Sequence, residues 1–142
     1  MTEPLTSSDV QAALDEQAPG IQVETYDTST ATAPQAAASI GTPLGSIVKS
    51  LVFMINGRPI VALVAGDQKV DTRKIAAFYD VGRKKVKIAT YEECVEHIGY
   101  EPGGVPPLGH RSAAPILIDR SLSRFETVYA AAGSPNTIFP IP

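Results

Sequence analysis

One cysteine and two histidines are all the thiol and imidazole that this chain could offer a metal. Cys94 has no second cysteine to pair with, so an internal disulfide is excluded. His97 falls on a predicted helix and His110 beyond a loop, without H-x-x-x-H spacing, so no metal ligands are assigned. The sequence has no G-x-S-x-G nucleophile elbow. It also lacks the G-x-x-x-x-G-K-[ST] phosphate loop and a G-x-G-x-x-G that follows a strand. No apolar run approaches the length of a membrane helix, and no basic stretch followed by an apolar one marks the N-terminus. A location in the cytoplasm, away from membrane, is expected. A net charge of -3 does not suit a general DNA coat, though it leaves room for a local basic patch.

What is present reads as one ordinary globular domain over residues 1–142. Hydrophobic residues make up 44% and charged residues 19%. Ser8, with Gln11 three residues on, predicts a short helix striped by Val10, Ala13 and Leu14. Residues 21–26 alternate like a strand. Residues 28–39 predict a helix with Pro34 in its first turn and Gly41 past its end. Asn56-Gly57 is a strong hairpin signal between strands over 46–55 and 60–65. Asp71 caps a helix whose inner face is Ile75, Phe78 and Tyr79. A short strand over 86–89 follows. Thr90 and Glu93 form a capping box for a helix with Tyr91, Cys94, Val95 and Ile98 on one face, ending at Gly99. Cys94 on that stripe reads as a small core residue. Further strands are predicted over 115–119, 127–131 and 137–139. Interleaved elements and the hairpin predict a mixed α/β fold: a twisted, largely antiparallel sheet or partial barrel flanked by helices.

Three features remain for chemistry. Lys49 sits in the strand Ile47-Val48-Lys49-Ser50-Leu51-Val52-Phe53, on the same face as Ile47, Leu51, Phe53 and Ile55. An ammonium among large apolar side chains needs an anionic partner, or it snorkels to water along its own stem. The second feature is the loop from Gly99 to Gly109, with four glycines and three prolines in eleven residues. Such a loop allows close backbone approach to a ligand and can hold preorganised N–H donors. It can equally be a turn-rich surface connection. The third is Arg83-Lys84-Lys85 with Lys87, which suits either a phosphate backbone or a solvated strand edge.

These residues resemble the YbaK/prolyl-tRNA-synthetase-associated editing domains. The strand around Lys49 is similar to the family's lysine-bearing strand. Gly99-Tyr100, Gly103-x-x-x-Pro107 and Gly109 are similar to its G-x-x-x-P loop. Gly66-Asp67 through Asp71, and the late turn Ala132-Gly133-Ser134, fit in order and spacing. The resemblance covers about residues 20–139 and implies a YbaK-like fold.

It also implies a free-standing deacylase that hydrolyses the ester of a mischarged tRNA carrying a small amino acid. Water attack would be assisted by the substrate, and no cofactor would be needed. The implied partners are the acceptor end of an aminoacyl-tRNA and an aminoacyl-tRNA synthetase. Lys49 and Gly103 become the implied catalytic residues. Ser50, Asp67, Gly104, Val105, Pro107, Gly109, Gly133 and Ser134 would surround the substrate, with backbone donors near Gly103 and Gly104 facing the ester carbonyl. Arg83, Lys84, Lys85 and Lys87 would meet the tRNA. Some relatives carry a histidine near the late turn that helps select the amino acid, and this chain has Ser134-Pro135-Asn136 there. The rival reading is a non-catalytic module that binds tRNA or a metabolite and regulates another process.

Overall fold

The computed structural model describes residues 3–142. Its elements run α1 (Ser7–Gln17), β1 (Glu24–Thr25), α2 (Ala33–Ile40), β2 (Ile47–Ile55), β3 (Arg58–Ala65), α3 (Thr72–Phe78), β4 (Val86–Ile88), α4 (Tyr91–Glu93), β5 (Ile116–Ile118), β6 (Val128–Ala131) and β7 (Thr137–Ile141). Helix α4 widens into a π turn at Cys94–Ile98. Short 3-10 turns precede β2, β4 and β6, at Leu44–Ser46, Arg83–Lys85 and Arg120–Arg124.

The seven strands form one open mixed sheet in the order β1-β7-β6-β2-β3-β5, with β4 also paired to β2. Four pairings are antiparallel, and two, β2 with β6 and β3 with β5, are parallel. The predicted mixed, largely antiparallel α/β architecture is therefore the observed one. At its centre is the β2–β3 hairpin, in register from Val48↔Ala65 to Ile55↔Arg58. Asn56 and Gly57 take φ values of 50° and 80°, as the tight turn requires. Along β2 the same outer edge is shared. Residues Ile47 and Val48 pair with β6, and residues Phe53–Ile55 pair with β4.

Alternation on β2 sorts the core. Val48 and Val52 point into the main cluster with Val10, Leu14, Ile98, Tyr100, Val105 and Phe139. On the opposite face Phe53 and Ile55 pack with Ile60, Val64, Ile75 and Val86 under α3, while Ile47 packs with Ala36 and Ile138 under α2. Lys49 falls at the seam between those two smaller clusters.

Several local expectations shift. The first helix starts one residue earlier than Ser8, because Thr6 and Asp9, not Ser8 and Gln11, make its capping box. Only Glu24–Thr25 of the 21–26 stretch pairs as a strand. Phe78, expected on the inner face of α3, is 70% exposed. That helix is only seven residues long, and Ile75 and Ala76 already cover the sheet beneath it. Tyr91 is 50% exposed, because its hydroxyl reaches outward to Glu101 at 2.8 Å. No helix among the described residues is long and apolar enough to cross a membrane.

Candidate functional site

A cavity of about 360 Å³ opens at the seam where Lys49 lies. Its wall is built from six segments of the chain, one of them Gly66 just after β3. The start of β2 contributes Ile47 to Leu51, the approach to α2 contributes Thr30 to Pro34, the Gly/Pro loop contributes Gly103 and Val105, and β6 and β7 contribute Ala131 and Ile138. Among the described residues, Lys49 is the one titratable side chain in that wall. Its ammonium donates to the main-chain carbonyl of Gln68, in the turn that follows β3. Lys49 is thus partly buried and hydrogen-bonded rather than unpaired among apolar residues. Ser50 also lines the wall, and its buried hydroxyl has no hydrogen-bond partner among the described residues.

The loop carrying Gly103 is held rigidly from within. Tyr100 is fully buried, and its hydroxyl donates to the carbonyl of Gly109 at 3.3 Å. Burial pushes that phenol up to about 12. His110 is bonded through Nε2 to the carbonyl of Pro106 at 2.6 Å. Burial lowers its pKa from the usual 6.5, against the opposing effect of that bond, so the imidazole stays neutral near pH 7 and donates. Arg111 reaches back to the carbonyl of Val95 at 2.9 Å and secures the end of the preceding helix. Within this frame Gly103 has φ +89°, a conformation that strains any residue with a Cβ, and it faces Ala31. Among the described residues its N–H meets no acceptor.

Gly104 departs from expectation as a donor. Its N–H is spent on the carbonyl of Glu101 at 2.9 Å, and its own carbonyl accepts from Gly133 at 2.8 Å. Gly104 therefore joins the loop to the late turn, where tight packing against Gly133 and Ser134 leaves no room for a side chain. Pro107, Gly109, Gly133 and Ser134 stand behind the wall rather than in it. Ser134 bonds Asn136 at 3.0 Å and Thr137 at 2.6 Å. The late turn acts on the cavity through Pro135, whose carbonyl accepts the N–H of Thr30 at 2.6 Å. Asp67 does not line the cavity either, since both its oxygens accept from Arg124, at 3.0 and 2.8 Å. That guanidinium holds the Asp67 carboxyl below the usual carboxylate range.

Reading the sequence missed the segment from Thr30 to Thr32, which forms a whole side of the cavity. Its only signal was the Thr-rich approach to a capped helix. There Thr32 accepts the N–H of Gln35 at 3.3 Å, and Gln35 bonds back at 3.2 Å. The N-terminal end of α2, the positive end of its dipole, is thereby turned toward the cavity. Arg124 was missed as well. The basic residues Arg83, Lys84, Lys85 and Lys87 are all exposed and stand apart from the cavity. Lys87 pairs with Met54, five residues along β2 from Lys49, or roughly 16 Å at ~3.3 Å per residue. Cys94 is buried, and burial pushes its thiol up to about 11, so it is inert at neutral pH.

Comparison with known proteins places this geometry. The family profile described as aminoacyl-tRNA editing domain matches residues 27–142. The chain is 39% identical over 116 residues to YwhH of Bacillus subtilis (strain 168), itself uncharacterized, covering 81% of this chain and 72% of that protein. It is 30% identical over 102 residues to EbsC of Enterococcus faecalis (strain ATCC 700802 / V583), named as a Cys-tRNA(Pro)/Cys-tRNA(Cys) deacylase, covering 71% of this chain and 61% of EbsC. It is 31% identical over 77 residues to proline–tRNA ligase of Staphylococcus aureus (strain Newman), covering 54% of this chain and only 13% of that enzyme. Among solved structures, one described as a trans-editing enzyme for prolyl-tRNA synthetase superposes with TM-score 0.87 at 35% identity, covering 95% of this chain and 85% of that one.

Proposed function

The chain belongs to the aminoacyl-tRNA editing domain family, and from that premise we propose that it is a trans-acting deacylase of a tRNA mischarged with a small amino acid. In this reading residues 1–142 act as a single editing-type domain. The observation that carries it is that Lys49 and Gly103 share one cavity, although distant segments supply them. Lys49 would hold the acceptor end electrostatically, helped by the positive end of α2. The free N–H of Gly103 would face the ester carbonyl, where negative charge develops as water adds. Val105, Ala31, Leu51 and Ile138 would enclose the aminoacyl group, and the small side chains of this wall suit a small, uncharged residue.

The step is hydrolysis. Water oxygen bonds to the carbonyl carbon, and the bond from that carbon to the ribose oxygen breaks. The water proton passes to the departing ribose oxygen, leaving free amino acid and tRNA. Among the described residues the wall contains no carboxylate or imidazole. A neighbouring hydroxyl of the terminal ribose would therefore assist the water, and the reaction would call on no cofactor. Arg83, Lys84, Lys85 and Lys87 would meet the phosphates of the acceptor stem, on the strand that pairs with the far end of β2. The prolyl-tRNA synthetase association of the relatives makes that synthetase the proposed partner.

The test is release of amino acid from a panel of mischarged tRNAs, with cysteinyl-tRNA(Pro) and alanyl-tRNA(Pro) among them. Release faster than spontaneous ester decay is expected for at least one small amino acid. Tight tRNA binding with no release from any member would favour the non-catalytic module instead.

A further inference from the structure

Resting on the deacylase reading, we propose that Arg124 is a positioning residue for the reaction: with Asp67 it forms a clamp that sets where the Lys49 ammonium sits. The chain of contacts is short. Lys49 donates to the carbonyl of Gln68, and Gln68 lies in the turn after β3, closed by its own N–H to Ala65 at 2.9 Å. Asp67, in the same turn, takes both terminal nitrogens of Arg124, at 3.0 and 2.8 Å. The third nitrogen, Nε, donates to the carbonyl of Ser121 at 2.6 Å, so the fork has a fixed orientation. Asp119 then ties the base of this arrangement to the sheet. Its carboxylate accepts the N–H of Ala65 at 3.1 Å and that of Ser121 at 2.9 Å.

The clamp also grips the segment that leads into β2. An added Cβ at Gly45 would lie 2.7 Å from Oδ2 of Asp67 and 2.8 Å from Nη2 of Arg124. Glycine at that place lets the ion pair lie directly against the backbone. Both chain segments around Lys49, the turn before β2 and the turn after β3, therefore meet one guanidinium–carboxylate pair. A lysine stem has many rotamers, so without a fixed acceptor its ammonium has no single position. The pair is part-exposed, with side chains 43% and 33% accessible, so opening it need not unfold the chain.

The experiment compares wild type, Arg124→Gln, Asp67→Asn, the double variant and Arg124→Lys in two assays. The first is steady-state deacylation with KM and kcat separated. Arg124→Gln is expected to lower kcat roughly tenfold with KM little changed, short of the ~hundredfold that a full 1 Å misplacement costs. Asp67→Asn should match it, the double variant should be no worse than either, and Arg124→Lys should rescue only partly. The second assay needs no substrate. Brief acetylation with peptide mass spectrometry should show Lys49 modified several-fold faster in Arg124→Gln than in wild type, relative to exposed Lys84. A wild-type protein that deacylates nothing would sink the deacylase reading, and the labelling assay alone then decides the clamp. Unchanged Lys49 labelling, or additive losses in the double variant, would overturn the clamp whatever the activity.

Discussion

The two ends of the β2–β3 hairpin are built by different physics. At the turn end Phe53, Ile55, Ile60 and Val86 close an apolar cluster beneath α3, and β4 completes the pairing. At the other end the cluster under α3 and the smaller one under α2 part around Lys49. The gap between them is a cavity whose lining residues Lys49 and Thr30 are held by bonds to main-chain carbonyls, Lys49 to Gln68 and Thr30 to Pro135. Apolar burial is nondirectional and makes the turn end robust. Hydrogen bonds are directional and make the cavity end a place where small displacements matter. One strand thus carries stability at one end and the candidate site at the other.

Substitutions at the two ends should separate those properties. The largest expected effect is at the cavity end. Lys49→Ala should cut single-turnover deacylation by at least ~100-fold, the scale for losing a preorganised charge-stabilising group, while the fold persists. Phe53→Ala, at the 4%-exposed position four residues on, should do the reverse. It should cost about 3–5 kcal/mol in denaturant unfolding, with near-normal turnover per folded molecule. Near-normal turnover in Lys49→Ala would break the comparison.

Gly103→Ala comes next. The new methyl would meet Ala31 at ordinary contact distances of 3.4–3.5 Å, so strain at φ +89° is the main cost. Stability should fall by about 1 kcal/mol, and deacylation by up to ~100-fold if the N–H is displaced by an ångström. Binding to tRNA should be largely spared, because phosphate contacts lie elsewhere. Full activity would reduce the loop to a surface connection.

A smaller effect is expected from neutralising Arg83, Lys84, Lys85 and Lys87 together. Affinity for tRNA should weaken, and the slope of log K against log salt should flatten by up to about 3.5, at ~0.7–0.9 per lost phosphate contact. Deacylation of a short aminoacyl-adenosine ester should not change. An unaltered salt slope would leave these residues as a solvated edge.

The smallest effect is a pH dependence at His110. Its folded-state pKa lies below the ordinary 6.5 because it is buried. The unfolded chain therefore binds the proton more readily, and stability falls as pH drops below about 6.5, flattening once the folded imidazole also titrates. His110→Gln should lose that dependence. Thermal midpoints from pH 7.5 to 5 would show it, and an identical pH profile in the variant would assign the titration elsewhere.

Much of the fold was legible because its signals are local. Asn56-Gly57, the Asp71 cap, the Thr90–Glu93 box and Gly41 after α2 act within a few residues, and alternation along β2 identified both faces. Lys49 could be singled out for the same reason, as a charge on an apolar face, and the Gly/Pro loop by its composition, whereas Gly103 within that loop came from the family resemblance. Phe78 was misplaced because period alone cannot tell which apolar residue of a two-turn helix the sheet has room to cover. Gly104 was misread as a free donor because composition does not say where an N–H is spent.

From the sequence alone came the hairpin, the helix caps, the mixed α/β class and the chemical oddity of Lys49, all written in neighbouring residues. Only the tertiary structure decided the parallel pairings of β2 with β6 and β3 with β5. Only it decided that Thr30 faces Lys49 across one cavity, and that Asp67 belongs to Arg124 rather than to the cavity wall. Such contacts join segments tens of residues apart. Their partners are selected by the space that remains once the apolar clusters have closed, and no short-range pattern in the chain records that space.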